Sequence, residues 1–180
     1  MKLIYMPKIV SKKKCNEFII KHGNPETFHL SKTCNKEEQH KIKSKCKFLK
    51  SSDIDTFSEA YTQMFKNFNH DVQMTEPLLL MYTPGDYVKY HYDGNQTNYK
   101  YTSVLYLNSN KNGGEIDFPF KNMTIQPHCG DMILWDNLNN NGFIDEESLH
   151  GVLPIQKGCR LCIVNFYEVY QDKISSHYLP

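Results

Sequence analysis

The chain has 180 residues, with 21 Lys and Arg against 20 Asp and Glu and a formal net charge of +1 at pH 7. That length suits one domain with a substantial core, and the balanced charge argues against a nucleic-acid or membrane partner held by bulk electrostatics. No apolar stretch approaches the length of a membrane span, so neither partner is expected.

The opening residues 1–7 lack the apolar core of a signal peptide, and the six Cys are most natural as reduced thiols, which points to a cytoplasmic setting. Abundant Lys, Asn, Ile and Tyr hint at an A+T-rich genome, as in a virus, phage or similar microbial source. Leu3-Ile4-Tyr5 reads as a short strand. Ser11 is placed to cap a helix over about 12–22, with Cys15, Phe18 and Ile19 on one face and Gly23 past its end. Residues 24–50 are polar and Lys-rich, a solvated surface strand or loop plus a short helix near 35–44. Ser52 or Asp53 opens a second helix to about 68, where Ile54, Phe57, Ala60, Tyr61, Met64, Phe65 and Phe68 form a core stripe.

From about residue 72 the pattern changes to short β runs at 77–82, 87–92, 101–107, 115–118, 123–126, 131–135, 149–153 and 160–169. Turn residues such as Pro84-Gly85 and Asn112-Gly113-Gly114 separate them, and such spacing implies a sandwich or jelly roll. The expected fold is mostly β with flanking helices. It is read as a single domain over 1–180, with an N-terminal helical layer (1–71) packed on one sheet of a β core (72–170). The polar segment 136–147 reads equally as a connector or as a substrate rim.

His91 and Asp93 are two residues apart in a Tyr- and Val-rich run. On a strand, whose side chains alternate with period 2, they point the same way and can grip one cation. By the same alternation Tyr87 and Lys89 share the face of His91. A His-x-Asp pair alone also arises as a solvated strand edge, so a third ligand has to come from elsewhere; His150 is the best candidate. Two His and one carboxylate, with the remaining positions open, form the facial triad of non-haem Fe(II) oxygenases. Ten residues after His150, Arg160 opens the apolar run 160–167, where a cation is costly unless an anion pairs with it. It reads either as a surface Arg at a strand end or as a fixed guanidinium for one carboxylate of a dicarboxylic acid. Cys159 and Cys162 face opposite sides of a strand and have no second Cys pair with which to build a zinc site.

In this order and spacing, His91-x-Asp93, His150 and Arg160 resemble the 2-oxoglutarate- and Fe(II)-dependent dioxygenases, and within them the prolyl 4-hydroxylase-like branch. Further segments fit that branch: Glu76 through Tyr87; Val104-Leu105-Tyr106-Leu107-Asn108 followed by Gly113-Gly114-Glu115 and Phe118-Pro119; Pro127 through Trp135; and His150 through Arg160. The likeness runs over about residues 76–168 and more loosely over 1–75.

The resemblance implies a double-stranded β-helix (cupin-like) core and Fe(II) held by His91, Asp93 and His150. The cosubstrates would be 2-oxoglutarate and O₂, with ascorbate as reductant. It implies hydroxylation at a C–H bond, with 2-oxoglutarate converted to succinate and CO₂. Arg160 would take the far carboxylate of the cosubstrate with help from the Tyr106 phenol, and Tyr82 and Tyr87 would stand beside the iron. Trp135 would pack. Two positions depart from relatives: Arg160 replaces a frequent Lys, which does the same job, and Val164 replaces a frequent hydrogen-bonding Thr. The implied substrate is a peptidyl proline in a flexible segment, met by a rim of Tyr87, Tyr90, Tyr92, Tyr99 and Tyr101. The alternatives are a lysyl hydroxylase or other 2-oxoglutarate oxygenase, and, outside enzymes, a cupin-like metal-binding module.

Overall fold

A computed structural model describes residues 1–31, 42–68, 71–93 and 98–169. Leu3–Met6 (β1) leads into a helix at Lys12–His22 (α1). The Ser11 side chain accepts from the Lys14 N–H at 3.3 Å, and Gly23 ends the helix by donating to the Ile19 carbonyl. The second helix is not continuous. A 3₁₀ segment covers Ser51–Phe57, and the α-helix (α2) runs only over Ser58–Phe65. Ile54 and Phe57, three apart, fall on one side of the 3₁₀ segment and are buried. The short helix expected near 35–44 lies mostly outside the described residues, and at its far end Ile42–Lys43 form a strand.

The remaining strands are His29–Leu30 (β2), Ile42–Lys43 (β3), Lys45–Phe48 (β4), Val72–Met74 (β5), Leu78–Tyr82 (β6), Tyr87–His91 (β7), Tyr99–Tyr106 (β8), Ile116–Phe118 (β9), Met123–Ile125 (β10), Met132–Asp136 (β11), His150–Val152 (β12) and Arg160–Val169 (β13). All the pairings are antiparallel. The larger sheet has the order β1-β11-β8-β13-β6-β4-β2, with β5 also on β13, and the smaller has β10-β9-β12-β7-β3. The early part of the chain feeds both sheets. Ser44 alone joins β3 of the smaller sheet to β4 of the larger; it is buried, and its hydroxyl bonds that of Ser31 at 2.8 Å.

Alternation along β13 and β8 divides the core in two. Leu161, Ile163 and Tyr167, with Leu105 and Tyr101, join Cys15 and Phe18 of α1 and Ala60, Tyr61 and Met64 of α2 in one buried cluster. Cys162, Val164, Val104 and Tyr106 point the other way, into a cluster shared with Val88, Ile116, Phe118, Ile125 and Val152 of the smaller sheet. Burying one such apolar side chain stabilises by about 1.5–3 kcal/mol. Arg160, Cys162 and Val164 thus share the inward face, as strand parity requires.

Candidate metal and cosubstrate site

His91 ends β7 and His150 begins β12, and the two are directly paired across the smaller sheet. Between His150/Val152 on one strand and His91/Val88 on the other, the register shifts by one residue, a β-bulge in β7. Val88 is buried in the core between the sheets, while Lys89 and Tyr90 are both exposed. The bulge absorbs that extra residue and turns His91 inward again. Simple alternation therefore fails here: Tyr87 and Lys89 are not on the face of His91. Tyr87 instead pairs with Lys43 and lies with Lys89, Tyr90, Leu153 and Pro154 along a groove of about 430 Å³.

His91, Asp93 and His150 come together, their ligand atoms all within 4.8 Å of one another. The Asp93 carboxylate lies 3.2 Å from His91 Nε2 and 3.7 Å from His150 Nε2. His91 Nδ1 sits 2.9 Å from the Lys89 carbonyl, and His150 Nδ1 sits 2.9 Å from that of Ser148. A carbonyl can only accept, so each Nδ1 carries a proton, which leaves Nε2 as the atom that donates to Asp93 when the ring is charged and offers a lone pair to a metal when it is neutral. Backbone-oriented imidazoles of this kind are the usual metal-binding tautomer. Phe118 and Trp135 close over His150, with Trp135 edge-on at 4.9 Å. Trp135 packs, as expected.

The three groups differ in charge. Burial opposes ionisation of Asp93, but His150 and His91 outweigh it and hold the carboxyl at about 2. Burial pushes His150 down to about 4. Burial also works against a charged His91, yet the hydrogen bond and charge of Asp93 win and its pKa is raised. Asp93 thus favours its anion, His91 holds a proton more tightly than a free imidazole, and His150 holds one less tightly.

Arg160 opens β13 opposite Tyr82 of β6, and its guanidinium lies 4.8 Å from the Tyr82 ring centre and 5.2 Å from that of Tyr106. It is 1 % exposed, which excludes the surface reading of the sequence. Arg160 Nε and Nη1 and the Tyr106 hydroxyl are buried without a hydrogen-bond partner. Burial pushes the Tyr82 and Tyr106 phenols up, so both remain protonated donors. Leaving such donors unmet costs about 1–3 kcal/mol each, and more for a charge. A carboxylate is the group that would satisfy them, and Arg160 is near enough to weigh against protonation of His150. Gly114, at φ +80°, packs on the Arg160 stem; a Cβ there would lie 3.4 Å from Arg160 Cδ and collide with the Ile155 side chain.

The Tyr-rich rim is not realised as a unit. Tyr101 is buried in the helix-facing cluster and stacks on Phe68 at 4.5 Å, Tyr99 stacks on Phe166, and Tyr90 donates to Asp117. Tyr101 has the parity of Leu105 and not of Val104 and Tyr106, so alternation sends it away from the site. The 136–147 segment is a hydrogen-bonded hairpin rather than a loose connector. Leu138 bridges Ile144, the Asn139 side chain accepts from the Asn141 and Phe143 N–H groups, and buried Lys100 donates to the Leu138 and Asn139 carbonyls. Two residues near the triad went unassigned in the sequence, Thr102 and Asn137. The Thr102 hydroxyl lies 2.8 Å from Asp93 Oδ2, and Asn137 Nδ2 donates to Thr102 Oγ1 at 2.7 Å. The inward parity of Thr102 with Tyr106 was a usable signal; nothing in the sequence marked Asn137.

Residues 77–168, just over half of the chain, match the model of the 2OG-Fe(II) oxygenase superfamily, and the chain belongs to that superfamily. Prolyl 4-hydroxylase 13 of Arabidopsis thaliana is 39% identical over 72 residues, covering 32% of this chain and 26% of that protein. The chain therefore spans about a quarter of the length of that curated relative. Among solved structures, the viral collagen prolyl hydroxylase of Paramecium bursaria Chlorella virus-1, complexed with 2OG, superposes with a TM-score of 0.76 at 19% identity, over 94% of this chain and 97% of that one. A Trichoplax adhaerens prolyl hydroxylase bound to a hypoxia inducible factor peptide gives a TM-score of 0.76 at 17% identity, over 93% and 83%. The fold is that of the prolyl hydroxylases.

Proposed function

We propose that this protein is an Fe(II)- and 2-oxoglutarate-dependent dioxygenase that hydroxylates a peptidyl proline. One observation carries the reading: a fully buried guanidinium with unpaired donors lies on the inward face of the sheet, beside a His–Asp–His cluster. A pure metal-binding module has no use for such a clamp. The names of its relatives point to proline in a peptide as the group oxidised.

In this reading His91 Nε2, the Asp93 carboxylate and His150 Nε2 hold the iron. Bound iron and 2-oxoglutarate supply the oxidising chemistry, consuming O₂ and yielding succinate and CO₂, with ascorbate as the external reductant. The protein supplies position and enclosure. Arg160 fixes the far carboxylate of the cosubstrate by charge-assisted hydrogen bonds, and Tyr106 adds a neutral donor about half as strong. Tyr82, whose phenol bonds Ser44, supports the guanidinium from the other side. Tyr87 belongs with the groove and is assigned to the substrate side. Phe118 and Trp135 exclude water around His150. We further read residues 1–180 as one domain, with α1 and α2 as the layer over the outward face of the larger sheet, in a cytosol-like compartment.

The test is succinate formation from 2-oxoglutarate with Fe(II) and ascorbate, combined with mass spectrometry for a +16 product across proline- and lysine-containing peptides. Succinate that is lost in His91→Ala, Asp93→Ala and His150→Ala, with the +16 on proline, is expected. A product on lysine alone would replace the prolyl reading by the lysyl one. Metal binding without succinate on any peptide would leave a binding module.

A further inference from the structure

Asn137 is completely buried and lies at the end of β11, where the chain leaves for the 137–145 hairpin. It is tied to its surroundings on every side. Its N–H donates to the Lys100 carbonyl at 2.8 Å, and its own carbonyl accepts from the Asp145 N–H at 2.9 Å and the Ser148 hydroxyl at 3.4 Å. Its side chain reaches Thr102, and Thr102 reaches Asp93. Ser148 in turn holds His150 through its carbonyl. One residue of no evident chemistry is thus joined to two members of the His–Asp–His cluster.

We propose that Asn137, acting through Thr102, is a positioning residue that holds the Asp93 carboxylate in the orientation it presents to the metal. The proposal rests on the metal reading of the cluster. The direction of the chain follows from donor and acceptor counts. An ionised carboxylate can only accept, so the single proton of the Thr102 hydroxyl must point at Asp93 Oδ2. Thr102 Oγ1 can then only accept from Asn137, which requires the amide nitrogen there and leaves Asn137 Oδ1 without a partner, as observed. The bond to Oδ2 holds the carboxylate with Oδ1 3.2 Å from His91 Nε2 and Oδ2 3.7 Å from His150 Nε2. Outer partners of this kind orient a ligand and tune its basicity, and removing one typically weakens metal affinity or activity about 10–100-fold.

The test uses the full chain and Co(II), whose visible absorption reports coordination, with Fe(II) titrated anaerobically beside it. Thr102→Val deletes the hydroxyl. Asn137→Asp keeps the shape but replaces the donor by an acceptor, which draws the Thr102 proton away from Asp93. Both variants are expected to lower Co(II) affinity about 10–100-fold and to shift the absorption bands, whereas Thr102→Ser stays within a few-fold of the parent. Parent-like affinity and spectrum in a folded Thr102→Val or Asn137→Asp would overturn the positioning role while leaving the metal site in place. Should Thr102→Val fail to fold, Asn137→Asp decides the matter alone against Thr102→Ser. A parent protein that takes up neither Co(II) nor Fe(II) would overturn the metal reading and this inference with it.

Discussion

The two faces of the larger sheet treat buried polar groups in opposite ways. On the face toward the helices, Ser103, Asn165 and Tyr167 pair with one another and with Tyr61: Asn165 donates to the Tyr61 hydroxyl at 2.9 Å, and Ser103 and Tyr167 share a bond of 2.9 Å. Only the Asn165 Oδ1 acceptor is left over there. On the inward face of the same strands, Arg160 Nε and Nη1 and the Tyr106 hydroxyl have no hydrogen-bond partner, and the guanidinium is met only by the Cys162 thiol. The outer network is closed and serves the fold. The inner set is open, at a cost to the free protein, and is completed only by something that enters.

That contrast can be broken most forcefully at the triad. His150→Ala should lower metal affinity by more than 100-fold in a calorimetric titration, beyond the about 10–100-fold expected of an outer partner, while Asn165→Leu on the other face leaves it unchanged. Next in size is the cosubstrate. Saturation at 100 times Kd stabilises a protein by about 2.7 kcal/mol. This gain should appear in denaturant melts with 2-oxoglutarate and vanish in Arg160→Leu. The ligand-free Arg160→Leu protein should be no less stable than its parent, because an unpaired buried charge has gone. Asn165→Leu should instead lose about 1–3 kcal/mol, because it strands the Tyr61 hydroxyl.

Acidification is the third lever. His91 titrates above its ordinary value of 6.5 and must shed its proton to bind metal, whereas His150 takes one only near 4 and Asp93 only near 2. Metal affinity should therefore fall about tenfold per pH unit as pH drops below the raised value of His91. In the metal-free protein the sign reverses. The stability that His91 draws from Asp93 is complete below 6.5 and is lost as pH rises through the folded value. An affinity flat from pH 8 to 5 would remove His91 from the ligand set. The smallest effect separates two buried phenols. Tyr167→Phe should cost about 1 kcal/mol of stability. Tyr106→Phe should cost nothing without ligand, and should raise the 2-oxoglutarate concentration needed less than Arg160→Leu does.

Much of this site was legible from side-chain identity and spacing. His91, Asp93, His150, Tyr106 and Arg160 stand in short local patterns, and the period-2 alternation of β13 and β8 agrees with Cys162, Val164 and Tyr106 lying on the inward face. Alternation misled where the backbone departs from it. One surplus residue in β7 turned Tyr87 and Lys89 away from the face of His91, whereas Tyr101, odd in parity to Val104 and Tyr106, obeys alternation in facing the helices. The 51–65 region carries apolar residues that fit both a 3₁₀ and an α pattern, and the chain takes the former over Ser51–Phe57 and the latter over Ser58–Phe65. Asn137 was invisible for another reason. Its partners come from β8 and from the segment before β12, and such a meeting exists only after the sheets have formed.

The strand crossing at Ser44 bears on how a guest gets in. A single residue spans the two sheets at that edge, and its hydroxyl and backbone are already engaged with Ser31. So short a tether leaves no slack for the layers to gape like a hinge, and this side of the molecule behaves as a fixed spine. The hairpin after Asn137 leaves from β11, toward the other end of the larger sheet, so the spacing between the His–Asp–His cluster and Arg160 is held by the sheets themselves.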